Sequence, residues 1–205
     1  GPIVARALPE RRISAEPQQQ GPRQAVVKAP AELPYLSMAW HVPALRDPAT
    51  DREAYALQVL AALLDGYDGA RLTRHLVRDS GLALSAGASY DGSGRGPALF
   101  YLDGVPAAGH SVETLQAALR AELQAIADEG VSAAELARVK TQAVASRVYK
   151  RDSLMGQAME IGYLESAGLS WQDEERLLEG LRSVTVAEVQ GVARRYFSDD
   201  SLTIT

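Results

Sequence analysis

The three histidines of the chain, His41, His75 and His110, are the side chains best suited to hold a metal ion. A catalytic zinc needs three protein ligands at one centre, and two of them commonly lie one helical turn apart, as in H-x-x-E-H. Here the histidines fall on a predicted strand, a predicted helix and a loop, with no acidic partner at that spacing. We therefore expect surface or half-buried histidines and no metal site in this segment.

Serine chemistry is also poorly supported by the sequence. A serine nucleophile commonly stands on a strained G-x-S-x-G turn, and the chain has no such motif. Ser85 and Ser89 lie inside a predicted strand instead. The glycines of "GYDG" (66–69) and "GSGRGP" (92–97) are typical of a helix–helix turn and a hairpin tip, respectively. The residues thus predict no self-contained catalytic set.

Composition indicates an ordinary globular protein. The chain has 205 residues, of which 46% are hydrophobic and 23% charged, and its formal net charge is -5. Nucleic acid is an unlikely partner for such an acidic chain, because phosphate binding needs a basic surface. The chain has no cysteine, which excludes disulfides and a thiol nucleophile. No apolar run approaches the roughly 20 residues of a membrane span.

Hydrophobic periodicity predicts strands and helices in a defined order. Alternation predicts strands, and helical spacing predicts helices, several of which begin with a capping box such as Thr50 with Glu53 or Thr185 with Glu188. The predicted strands cover 23–29, 33–42, 82–90, 97–105 and 201–205. The predicted helices cover 47–66, 70–79, 111–130, 132–152, 153–168, 170–184 and 185–197. This order predicts an α+β fold, a two-layer sandwich of a mostly antiparallel sheet with helices packed on one face.

The strand 82–90 has two unlike faces. Leu82, Leu84, Ala86, Ala88 and Tyr90 share one parity, and the small residues Ala83, Ser85, Gly87 and Ser89 share the other. Small, partly polar residues suit a face that another backbone approaches, or one that meets solvent. Periodicity alone leaves open which of the two faces packs on the helices.

The domain organisation is predicted from composition. Residues 1–23 are rich in Pro, Gln and Arg, which predicts a linker and the tail of a preceding unit. Residues 24–205 form one domain. The chain begins without Met, and its last residues, "SLTIT", resemble the middle of a strand. We therefore expect it to be a fragment of a longer polypeptide.

Four segments in order resemble the C-terminal half of pitrilysin/insulinase-type zinc metallopeptidases. They are "LPYLSMAWHVPAL", "DREAYALQVLAALLDGYDGARLTRHLVRDSGLALSAGASYD", "GVSAAELARVKTQAVASRVYKRDS" and "LRSVTVAEVQGVARRYFSDDSLTIT". In that family two halves of similar fold close on each other like a clamshell. The N-terminal half carries H-x-x-E-H, whose glutamate activates the zinc-bound water. The equivalent helix of this chain reads "AYALQVLAALL", so the resemblance implies the non-catalytic half.

The resemblance implies a function for the whole polypeptide. It implies a zinc-dependent endopeptidase whose C-terminal domain encloses the peptide substrate, with zinc and the general base supplied by the other half or by a partner subunit. Many members place an Arg and a Tyr from this half near the catalytic centre. Those positions fall here at Val77 and Leu84, so the pair is not matched. The alternative is therefore an inactive structural or partner subunit related to these peptidases.

The resemblance also suggests how a peptide is bound. The family suggests that the peptide adds as a strand to the edge of a sheet. The residues expected to line that site are Tyr35, Ser37, His41, Ser85 and Ser89. The family habit in bacteria suggests a periplasmic protein. A half-clamshell on its own exposes an apolar surface, so a homodimer is also expected.

Overall fold

The sheet has five strands in the part of the chain that the computed structural model describes, which is residue 17, residues 19–150 and residues 152–205. In chain order they are β1 (Arg23–Gln24), β2 (Leu36–Val42), β3 (Ala83–Tyr90), β4 (Ala98–Pro106) and β5 (Leu202–Ile204). Their spatial order is β1-β5-β2-β4-β3. Only the short β1–β5 pair is parallel, so the mostly antiparallel sheet is confirmed.

Six α-helices and one π-helical segment account for most of the remaining described chain. The α-helices are α1 (Arg52–Asp65), α2 (Val112–Glu129), α3 (Ala133–Lys150), α4 (Leu154–Ala167), α5 (Glu174–Arg182) and α6 (Val186–Tyr196). The π-helical segment, Thr73–Asp79, lies within the predicted helix 70–79 and leads into β3. No helix among the described residues is both long enough and apolar enough to cross a membrane.

The core lies between one face of the sheet and the helices. In β2 the buried residues alternate, as a strand with one covered face requires: Leu36, Met38, Trp40 and Val42. Helices α1, α2 and α6 pack on this side of the sheet. The Phe197 ring meets the rings of Trp40 and Phe100 edge-on, with centroids 5.2 Å and 4.9 Å away. The predicted two-layer sandwich, with helices on one face, is confirmed.

Two local predictions near the N-terminus need correction. The strand predicted for 23–29 is limited to Arg23–Gln24, and most of the predicted linker 1–23 lies outside the described residues. The capping box of Thr50 and Glu53 is wrong, because α1 begins one residue later, after Asp51. The Asp51 carboxylate accepts hydrogen bonds from the backbone N–H groups of Arg46 and Asp47 at 2.6 Å and 2.8 Å. It thus shapes the loop before the helix instead of capping the helix.

Candidate functional site

The sheet face that points away from the helices is the most extended exposed feature of the strands. We call it the open face. It consists of the half-buried or exposed residues that alternate with the core residues: Ser37, Ala39, His41, Ser85, Gly87, Ser89, Leu99, Tyr101, Asp103, Val105 and Thr203. Small polar residues, a histidine and a tyrosine therefore share one surface.

A β-bulge at the start of β3 changes which residues join this face. Ala83 pairs with Pro106 and Ser85 with Val105, so Leu84 is an extra residue in the ladder. The bulge breaks the predicted alternation, because Leu84 and Ser85 are both exposed while Ala83 is buried. The prediction that Leu84 shares a side with Ala86 is wrong. At the bulge, residues of both parities in β3 are therefore exposed.

A glycine on the neighbouring strand makes room for the bulge. Gly104 is buried opposite Ala86. A Cβ at Gly104 would lie 2.6 Å from the carbonyl oxygen of Ser85 and 3.2 Å from Cδ2 of Leu115. Since non-bonded atoms cannot approach so closely, this register requires glycine at position 104. The bulge and Gly104 thus depend on each other.

Four of the five predicted binding residues lie on the open face. Across β4, Ser37 is paired with Asp103, His41 with Leu99, Ser85 with Val105 and Ser89 with Tyr101. The fifth, Tyr35, precedes β2 and is 60% exposed. The residues do not form a compact set, because the β4 partners of His41 and Ser85 lie six positions apart, a span of roughly 20 Å.

Asp103 was not predicted as a site residue, yet it lies near the centre of the open face. Its two carboxylate oxygens are 3.1 Å and 3.2 Å from the point where a Cβ on Gly87 would be. The Tyr35 hydroxyl lies close to this carboxylate. Partial burial, then the interaction with the Asp103 carboxylate and its negative charge, raise the pKa of Tyr35. The sequence carried a signal for Asp103, a charged residue inside a strand with the parity of Leu99 and Tyr101.

Asp65, at the end of α1, is a second unpredicted carboxylate. Its Oδ2 accepts a hydrogen bond from the backbone N–H of Ala88 at 3.3 Å. Partial burial raises the pKa of Asp65, the Ala88 N–H lowers it, and the negative charge of Asp103 raises it further. The two carboxylates are therefore close enough to influence each other. No local sequence pattern places the end of α1 beside β3.

β3 is the last strand of the sheet, and its outer edge pairs with no other strand of the described chain. The N–H of Ala88 points away from β4, since it reaches Asp65. Backbone groups of an antiparallel strand alternate in direction, so those of Ala86 and Tyr90 point outward as well. Such an edge is a template for pairing with another extended chain.

The described residues do not fit a zinc site. The histidines are separate, with His41 on the open face, His110 in the turn before α2, and His75 Nδ1 lying 2.9 Å from Glu122 Oε1. Within residue 17, residues 19–150 and residues 152–205, no group of three or more His, Cys, Asp or Glu side chains could hold a metal ion.

The fold and the open face define an α+β domain with one exposed sheet face and, within the described chain, an unpaired strand edge at β3. Comparison with family models then identifies it: the chain belongs to the family described as the peptidase M16 inactive domain, whose model matches residues 5–143. This confirms the resemblance to the non-catalytic half of zinc metallopeptidases. No curated protein matches the chain.

Solved structures share the fold. A protease from Helicobacter pylori is 24% identical with a TM-score of 0.84, and the match covers 96% of this chain and 48% of that one. The chain thus spans about half the length of that protease. The inactive peptidase domain from Bordetella parapertussis is 18% identical with a TM-score of 0.73, over 87% and 92% of the two chains. The peptidase M16 inactive domain from Pseudomonas fluorescens is 18% identical with a TM-score of 0.70, over 93% and 43%.

Proposed function

We propose that this domain is the substrate-enclosing, non-catalytic half of a zinc-dependent endopeptidase. Its open face forms one wall of a chamber, and a half with H-x-x-E-H, in the same polypeptide or in a partner subunit, supplies the zinc and the general base. The observation that carries the proposal is the open face beside the unpaired edge of β3, in a member of the M16 inactive-domain family.

Exposed apolar side chains on and beside the open face support a role in contact. Leu84, Tyr35 and Tyr101 are 55%, 60% and 38% exposed. These three side chains add apolar area to a surface that is otherwise small and polar, and exposed apolar area is typical of contact sites. The match to only 48% of the Helicobacter pylori protease is consistent with a second half of similar size that faces this surface.

The edge of β3 offers a mode of peptide binding. An extended peptide gains backbone hydrogen bonds from the outward groups of β3, as in other cases of strand addition. The small side chains of Ser85 and Ser89 let a second chain approach the open face closely. Tyr35, Ser37 and His41 offer hydrogen-bonding groups farther across the same wall.

Cleavage of a quenched fluorescent peptide library tests the proposal. We expect the full-length polypeptide, or this chain together with its catalytic partner, to cleave peptides until a zinc chelator is added. The 205-residue chain alone should not cleave them. Cleavage that persists in chelator, or cleavage by the isolated chain, would contradict the assignment.

A bulky residue on the open face tests whether this face lines the chamber. Ser85→Trp should lower kcat/KM about tenfold, a loss of about 1.4 kcal/mol of binding, because the indole occupies the space of the peptide. Ser146→Trp, an equal change at an exposed position of α3, should leave cleavage unchanged. Equal rates for the two variants, or unfolding by Ser85→Trp, would contradict the chamber-facing assignment.

One observation favours the alternative, an inactive structural or partner subunit. Leu84 is exposed at the position where the family places its tyrosine, and Val77, at the arginine position, packs against the core. Neither side chain can stabilise charge in a transition state. The same experiment separates the two functions, since a folded full-length polypeptide that cleaves nothing supports the alternative.

A further inference from the structure

We infer that the peptide accepted at the β3 edge carries a lysine or arginine, whose side chain lies across Gly87 and meets the carboxylate of Asp103. This inference rests on the proposed function and gives it a substrate preference.

Gly87 leaves a passage from the strand edge to Asp103. On the open face, Gly87 is paired with Asp103, and within the described sheet no other residue lies between Asp103 and the outer edge. With no side chain at Gly87, the Asp103 carboxylate occupies the space where one would begin, 3.1 Å and 3.2 Å from the position of a Cβ. A peptide residue opposite Gly87 can therefore reach Asp103 directly.

The length of the passage suits a long basic side chain. Adjacent strands lie about 4.8 Å apart, so an added strand and β4 are separated by roughly 10 Å. The four-carbon stem of lysine and the side chain of Asp103, extending toward each other, cover this span. The stem would lie along the Gly87 backbone, and a short side chain would not reach the carboxylate.

The charge of this region selects a cation. Asp103 and Asp65 lie on either side of the edge segment at Gly87 and Ala88, and each interacts with the charge of the other. Among the described residues, no ion pair joins either carboxylate to Lys, Arg or His. The neutral hydroxyl of Tyr35 lies close to Asp103 and carries no positive charge to offset it. A ligand cation would relieve the repulsion between the carboxylates.

Asp65 satisfies one hydrogen-bond donor of the β3 edge while no peptide is bound. Its hydrogen bond to Ala88 N–H is long, at 3.3 Å, and occupies a donor that an added strand needs. An incoming peptide carbonyl replaces the carboxylate at that N–H. The released Asp65 stays beside the edge, on the other side of it from the basic side chain, where its negative charge adds to that of Asp103.

The test compares two fluorescein-labelled seven-residue extended peptides that differ only in a central Lys or Gln, using anisotropy with the 205-residue chain. We expect the Lys peptide to bind about three- to fivefold more tightly, the range of one or two partly exposed ion pairs. Asp103→Asn should abolish this preference. Glu129→Gln, which neutralises an exposed acid on α2, should preserve it.

Each result has a distinct meaning. Equal binding of the two peptides would overturn the charge preference while leaving peptide binding intact. A preference that survives Asp103→Asn would overturn the assignment to that carboxylate. No binding of either peptide would contradict peptide binding at the edge, and with it that part of the proposed function. A preference that weakens in high salt supports the inference, because salt screens partly exposed charges.

Discussion

The replacement Gly104→Ala tests the link between the β-bulge and the open face. The new methyl group would lie 2.6 Å from the carbonyl oxygen of Ser85 and 3.2 Å from Cδ2 of Leu115. Leu115 can change its side-chain conformation, but the Ser85 oxygen is part of the backbone of a paired strand. The strand β3 must therefore move away from β4 at the bulge.

The cost follows from the crowding of a buried site. Extra methyl groups in a well-packed interior destabilise proteins by about 1–3 kcal/mol. We expect about 2–3 kcal/mol here, because the closest atom is a backbone oxygen that cannot turn aside. With a typical urea dependence, this loss lowers the unfolding midpoint by about 1 M. The exposed Ser85 should also move, which reduces peptide binding at the β3 edge.

Urea unfolding followed by circular dichroism measures the effect. Gly162→Ala is the matched control, because Gly162 is exposed inside α4 and a Cβ there meets nothing within 4 Å. Alanine should stabilise that helix by about 0.5–1 kcal/mol. If Gly104→Ala unfolds at the same urea concentration as the unchanged protein, the close approach of Ser85 to β4 is refuted.

Two further predictions concern contacts between helices. Gly180→Ala should destabilise the domain by about 1–3 kcal/mol, because the new Cβ would lie 2.6 Å from two ring carbons of the buried Tyr55. Urea unfolding measures this loss, and unchanged stability would show that α5 lies farther from α1. Two hydrogen bonds from the Arg71 guanidinium, at 2.8 Å and 2.9 Å, lower the pKa of Glu135 below its ordinary value of 4.5. The ionised pair therefore stabilises the fold fully above pH 4.5, and this stabilisation is lost as the pH falls through the lowered pKa. Glu135→Gln should therefore lower the Tm at pH 7 and have little effect in strong acid, whereas a pH-independent difference would contradict this role.

Elements with clear periodicity could be predicted, since burial of one side requires apolar residues at regular spacing in the sequence. The alternation in β2 correctly divides Met38 and Trp40 from Ser37 and His41, and the capping box of Thr185 and Glu188 is present at α6. These patterns depend on neighbours only a few residues away.

Features that depend on distant partners were missed. The bulge exists because β3 meets Gly104 of another strand, so alternation within β3 assigned Leu84 to the wrong side. At α1, Thr50 and Glu53 have capping-box spacing, but Glu53 bonds with Arg195 and Tyr196 of α6 instead. Asp65 acquires its role only when the end of α1 packs beside Ala88. Parity within β2 places Ser37 and His41 on the side opposite the core residues, while the carboxylates near Gly87 required the three-dimensional structure.

The bulge and Asp65 also affect how copies of the protein behave at high concentration. A flat, fully unpaired edge strand invites the same strand of another molecule, which leads to aggregation. Here Leu84 is an extra residue that interrupts the regular register at one end of β3. The negatively charged carboxylate of Asp65 accepts the hydrogen bond of the Ala88 N–H, so that donor is not free to pair with a second copy. Two such edges brought together would repel each other and could not align their hydrogen bonds along the whole strand. Pairing between the β3 edges of two copies is thus disfavoured, while a single flexible peptide can still pair with the edge.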